Sequence, residues 1–92
     1  MRMWELNGKR VIGSKAQILG TVCDVEFDLQ TWQVTNFCLD LEKNVIETMG
    51  FQKPRLMGSI KVIIPIEEIT AISDVVTLKK SADELKGIAK KI

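Results

Sequence analysis

The stretch from Thr21 to Leu41 constrains this chain more than any other. From Thr21 to Asp28 apolar and charged residues alternate. Cys23, Val25 and Phe27 fall on one side, and Asp24, Glu26 and Asp28 on the other. A period of two marks a half-buried strand, here with one acidic, wet face. Leu29-Gln30-Thr31 predicts a hairpin tip, and Trp32 to Leu41 a returning strand. That strand is apolar on both faces, with Phe37, Leu39 and Leu41 on one and Trp32, Val34 and Cys38 on the other. A strand apolar on both faces is covered on both faces. In a chain of 92 residues, the second cover is expected to come from another chain.

The remaining segments are shorter. Leu6 to Lys9 predicts a turn, Arg10 to Ile12 a strand, and Gly13-Ser14-Lys15 another turn. Gly20 sits beside a strand and predicts a bulge or a close backbone approach. Val45, Ile46 and Met49 have the spacing of a short helix stopped by Gly50. Ile60 to Ile66 predicts a strand with Pro65 near its end, where a missing N–H does least harm. Glu67 to Ile69 predicts one helical turn, followed by short strands at Ala71-Ile72 and Val75 to Leu78. Ser81-Ala82-Asp83-Glu84 matches a capping box, and Leu85, Ile88, Ala89 and Ile92 follow at helical spacing. A C-terminal amphipathic helix over 81–92 is therefore expected, packed on the body of residues 1–80 or on a partner. About six short strands with frequent turns predict a mostly β fold, a small barrel or sandwich.

Composition excludes several classes. The net charge is +1, whereas a dedicated nucleic-acid binder usually carries a larger basic excess. Near-neutrality leaves little repulsion against self-association. The longest apolar run, Val62 to Ile66, is far short of the ~20 residues that span a bilayer. Met1 to Arg10 has no apolar leader core, so a cytoplasmic chain is expected. With two cysteines and no histidine, no zinc framework is expected. In a reducing cytosol Cys23 and Cys38 are expected as buried thiols, with a cross-strand redox pair as the alternative.

Catalytic chemistry finds little support. Histidine, the most versatile base, is absent. Ser14-Lys15 and Ser59/Lys61 are adjacent or near-adjacent pairs in turn-like segments. Asp24/Glu26 and Glu67/Glu68 read as solvated acidic faces. Gly8 to Lys15 fails as a phosphate loop because Ser14-Lys15 reverses the required order of lysine and hydroxyl. No catalytic residue, metal site or cofactor is expected. Lys79, Lys80, Lys86, Lys90 and Lys91 form a basic tail, read as a solvated face. The apolar loop is more informative. Phe51, Leu56 and Met57, with Trp32 and Trp4, supply large groups outside the core pattern. Such groups either plug the ends of the fold or form a protein interface. The expected interface comprises Trp32, Val34, Phe51, Leu56 and Met57, joined by Leu85 and Ile88 of the tail.

Two stretches carry a family resemblance. Leu6-Asn7-Gly8-Lys9-Arg10-Val11-Ile12-Gly13-Ser14, followed by Ile18 to Val25, resembles the opening of PRC-barrel domains. These small β-barrels are named after the photosynthetic reaction centre H subunit and also occur in the ribosome maturation factor RimM. Ile63 to Ile69 and Ile72 to Val76 resemble their closing strands. The insert from Glu42 to Gly50 leading to Lys53-Pro54-Arg55-Leu56 is most similar to stand-alone archaeal members. The resemblance implies a PRC-type barrel with a short helical insert and non-enzymatic adaptor work. For archaeal members it implies a link to FtsZ-based cell division beside the anchor protein SepF, with recruitment to the division site. Expected partners are a second copy of the chain, a SepF-type protein or another PRC-barrel protein. The alternative is an RNA- or ribosome-associated assembly factor resembling the RimM barrel. Against it, no counterpart of RimM's separate N-terminal domain is expected.

Overall fold

The computed structural model describes residues 2–54 and 58–92, with Met3 by its backbone alone. A short helix, α1 (Met3–Leu6), precedes seven strands: β1 (Arg10–Ile12), β2 (Ile18–Asp28), β3 (Gln33–Leu41), β4 (Lys61–Pro65), β5 (Ile69–Ile72), β6 (Val75–Leu78) and β7 (Lys90–Lys91). They form one sheet in the order β5-β6-β1-β2-β3-β4-β7. All neighbours are antiparallel except β1 and β6, which run parallel.

The order forces the sheet to roll up. Strands β4 and β5 lie toward opposite ends of it, yet only the 3-10 turn Ile66–Glu68 joins them. Three residues cannot span a flat sheet of seven strands, so the two ends must approach one another. Pro65 ends β4 at that corner, as its missing N–H requires. The expected closed barrel of about six strands is corrected on two points: the described residues form seven strands, and the ladder among them does not close, because β5 and β7 are not bonded to each other. Both end strands are very short, which limits the unpaired backbone they present.

The rolled sheet encloses one core. Phe37 and Leu39 of β3 are fully buried, against Val11, Leu19, Val62, Ile64, Val76 and Leu78 from the surrounding strands. Each such side chain contributes on the order of 2 kcal/mol by leaving water. The insert joins this core through Val45, Ile46 and Met49, all buried. Only Lys43–Val45 is a 3-10 helix; turns follow. Gly50 stops the segment with φ 88°. The Phe51 N–H donates to the Ile46 carbonyl at 3.0 Å and the Gly50 N–H to the Glu47 carbonyl at 2.9 Å, the double bond of a Schellman stop.

The expected C-terminal helix is a correction. Half of its cap forms: the Ser81 N–H donates to Glu84 Oε1 at 3.0 Å, while the Ser81 hydroxyl donates to Asp83 Oδ1. The Asp83 carboxyl is held below its ordinary value chiefly by the Ser81 hydroxyl, and that of Glu84 chiefly by the Ser81 backbone N–H. One turn later Gly87 enters the left-handed region at φ 87° and the helical path ends. Continuing would place a glycine in a helix interior, at a cost of about 1 kcal/mol, in a segment too short to be stable alone. The chain instead buries Leu85 and Ala89 in its own core, and Lys90–Lys91 add to β4 as an edge strand. The tail is thus part of the single core and not a separate helical appendage.

Gly20 is the tightest point of the sheet. A Cβ there would collide with the backbone carbonyl oxygen of Asp40 on β3 and lie 3.0 Å from Leu39 Cδ1. Backbone cannot move aside as a flexible side chain can. Gly20→Ala is expected to lower stability by about 3 kcal/mol, measured as the shift of the urea midpoint. An unchanged midpoint would contradict the packing described.

Candidate functional site

The β2–β3 hairpin extends beyond the rest of the sheet. Strand β2 parts from its neighbour β1 after Thr21, which faces Arg10; the last bonds on that side run from the Val22 N–H to the Lys9 carbonyl, at 2.9 Å, and from the Gly8 N–H to the Val22 carbonyl, at 2.8 Å. Strand β3 parts from β4 beyond Asn36, which faces Pro65. The pairs Phe27–Val34 and Asp28–Gln33 therefore have no third strand beside them. They form a two-stranded arm, a unit of marginal stability in isolation.

Two irregularities shape the arm. At its root Val22 faces Leu39 and Asp24 faces Cys38, so Cys23 is an extra residue in β2. Cys23 is bonded to Cys38 as a disulfide, with the two Cα atoms 5.3 Å apart. This corrects the expectation of buried free thiols in favour of the cross-strand pair. The disulfide leaves Cys38 only 5% exposed, with its partner sulfur against it. Further out, Glu26 faces Asn36 while Phe27 faces Val34, so Thr35 is the extra residue. The Thr35 hydroxyl donates to the Glu26 carbonyl and Asn36 Nδ2 to Glu26 Oε1, at 3.4 and 3.2 Å. This second shift turns Val34 onto the face shared by Phe27 and Val25. The core face is thereby prolonged past the core.

The tip is apolar where turns are ordinarily polar. The Trp32 N–H donates to the Asp28 carbonyl at 2.7 Å, and the Gln30 N–H to Asp28 Oδ1 at 2.8 Å. Trp32 sits in the left-handed region with φ 59°, a conformation that costs a bulky residue about 1–2 kcal/mol. Its ring stacks on Phe27 with centroids 6.0 Å apart and planes 23° from parallel. Such a pair returns only about 1 kcal/mol. Trp32 is still 74% exposed, Leu29 70% and Phe27 40%. The strain thus costs about as much as the stack returns, so Trp32 adds little to the stability of the fold.

The seven expected interface residues divide sharply. Trp32 and half-buried Val34 come together on the arm. Phe51 and Ile88 are half-buried against the core, and Leu85 is fully buried within it, so the chain itself covers much of what they offer. Leu56 and Met57 lie outside the described residues. Phe27 and Leu29 complete the arm; the strand pattern put Phe27 on the half-buried face and Leu29 in the tip, and neither was expected at an interface. The signal for them was two large apolar residues, Leu29 within the predicted tip and Trp32 directly after it.

Other candidates reduce to structural roles. Glu68 is buried and accepts from Lys80 Nζ at 2.7 Å, which separates it from exposed Glu67 as an acid pair. Lys15 lies 3.7 Å from Asp83 across the surface. Asp24 accepts from the neighbouring Val25 N–H at 2.8 Å. Among the described residues no cluster of three or more potential metal ligands forms, and no helix is long and apolar enough to cross a membrane.

If Trp32 is not a stability residue, Trp32→Asn should change the unfolding free energy by no more than about 1 kcal/mol, since Asn tolerates the left-handed region. Phe37→Ala should cost about 3–5 kcal/mol. Urea denaturation of both variants checks the contrast, and equal losses would contradict it.

No curated protein matches the chain in sequence. A family model does, that of the PRC-barrel domain, over residues 2–85. Domains of this kind are generally non-catalytic. The matched span takes in β1 to β6, the hairpin arm and the capped turn up to Leu85. The chain belongs to the PRC-barrel family.

Proposed function

We propose that this protein is a non-enzymatic adaptor that docks onto another protein through the tip of the β2–β3 arm. The observation that carries this reading is the exposed Phe27–Trp32 stack, with Leu29 beside it, on a strained turn at the end of a projecting hairpin. Aromatic residues set in an exposed patch are typical interface anchors. The opposite face of the arm carries Asp24, Glu26 and Asp28, all exposed. The matching partner surface is an apolar pocket with lysine or arginine at its rim, where the charges guide approach more than they add affinity.

The resemblance to stand-alone archaeal members supports a partner in FtsZ-based cell division, with a SepF-type anchor protein foremost. Self-association and pairing with another PRC-barrel protein belong to the same reading. Recruitment to the division site would follow from the docking.

The test is titration of the purified protein with purified SepF from the same cells, followed by tryptophan fluorescence. Leu29→Asp combined with Trp32→Asp should weaken binding by at least about tenfold, the loss of one modest anchor, with thermal unfolding nearly unchanged. Undiminished binding by the double variant would sink the assignment of the arm. Failure to bind SepF, with salt-sensitive binding to ribosomal particles instead, would favour the RNA-linked alternative.

A further inference from the structure

The disulfide lies where the arm loses support. On its core side β2 is bonded to both β1 and β3; past Val22 only β3 holds it. Cys23 is the first residue of that unsupported half, and its bond to Cys38 ties β2 to a position in β3 still paired with β4, opposite Ile63. The bond closes the loop that contains the whole tip. Cys23 is the more accessible of the two sulfur-bearing residues, half-buried where Cys38 is buried.

We propose that the Cys23–Cys38 pair is a reversible thiol switch that sets the order of the arm. The regulatory consequence rests on the docking reading above; the switch itself does not. The step balances with a dithiol as reductant. One thiolate of the dithiol attacks Cys23 Sγ, the Cys23–Cys38 bond breaks, and Cys38 leaves as a thiolate that takes up a proton. The second thiol of the dithiol then attacks the mixed disulfide and releases Cys23, which is protonated in turn. Two electrons and two protons pass to the chain, and the dithiol becomes a disulfide. An oxidised dithiol or glutathione disulfide reverses the sequence. With the bond closed, the strands carrying Phe27 and Trp32 are held in register. With it open, the unaccompanied pairs Phe27–Val34 and Asp28–Gln33 fray, because the unfolded arm regains the freedom the cross-link removed.

Amide hydrogen exchange of the full chain tests this, comparing protein equilibrated with glutathione disulfide, the same protein after dithiothreitol, and a Cys23→Ser/Cys38→Ser variant. Reduction and the double substitution should each speed exchange of residues 24–34 by at least about tenfold, with β1 and β6 unchanged. Equal exchange in all three forms would overturn the switch, as would uniform acceleration across every strand. So would thiol titration that finds two free thiols after equilibration with glutathione disulfide. Partner binding separates this outcome from the docking reading. Equal exchange leaves the docking reading standing, whereas undiminished binding by the Leu29/Trp32 double variant removes docking and leaves the switch.

Discussion

Strand β3 is hydrogen-bonded on both sides, to β2 along nearly its whole length and to β4 from Asn36 to Asp40. It also carries Phe37, Leu39 and Leu41 into the core. The roll of the sheet, the close approach at Gly20 and the root of the arm all refer to this strand. Gly20 lies against the Asp40 carbonyl because β2 must cross β3 tightly there, and the 3-10 turn after Pro65 can bring β5 round only because β4 is fixed to β3. Burial of three large side chains on one short strand outweighs any single hydrogen bond in the molecule, at on the order of 2 kcal/mol each against about 1.

From that strand the arm follows. Beyond Asn36 the ladder continues on one side only, and the extra residue Thr35 rotates Val34 into line with Phe27. The result is a strip of core-like surface with no core beneath it. Keeping such a strip exposed to water has a cost, and the left-handed Trp32 adds to it. The family is one of generally non-catalytic domains. The docking element proposed above is this protruding apolar tip beside an acidic face.

Much of this was legible in the residues. The strand at Arg10–Ile12, that at Val75–Leu78, the hairpin and the Gly50 stop follow from local pattern. The Glu84 carboxylate also reached back to the Ser81 N–H, yet the helix that the capping box announced did not form. Helical spacing in Leu85, Ile88 and Ala89 is equally compatible with one turn followed by an edge strand, and Gly87 with tertiary burial decided between them. The same limit governs the cysteines. Alternation assigned Cys23 to the core face, but a single extra residue reverses every later side chain, and a bulge leaves no mark in an alternating pattern. Leu85 and Phe51 were expected at an interface because they fell outside the strand pattern; their core neighbours come from distant segments.

The account stands most directly on where a protein partner touches the chain. Amide chemical-shift mapping during titration with purified SepF would locate that contact. The account predicts the largest shifts at residues 27–34, with the lysines of 79–91 little affected. Shifts concentrated on the lysine-bearing tail, with the arm silent, would contradict it.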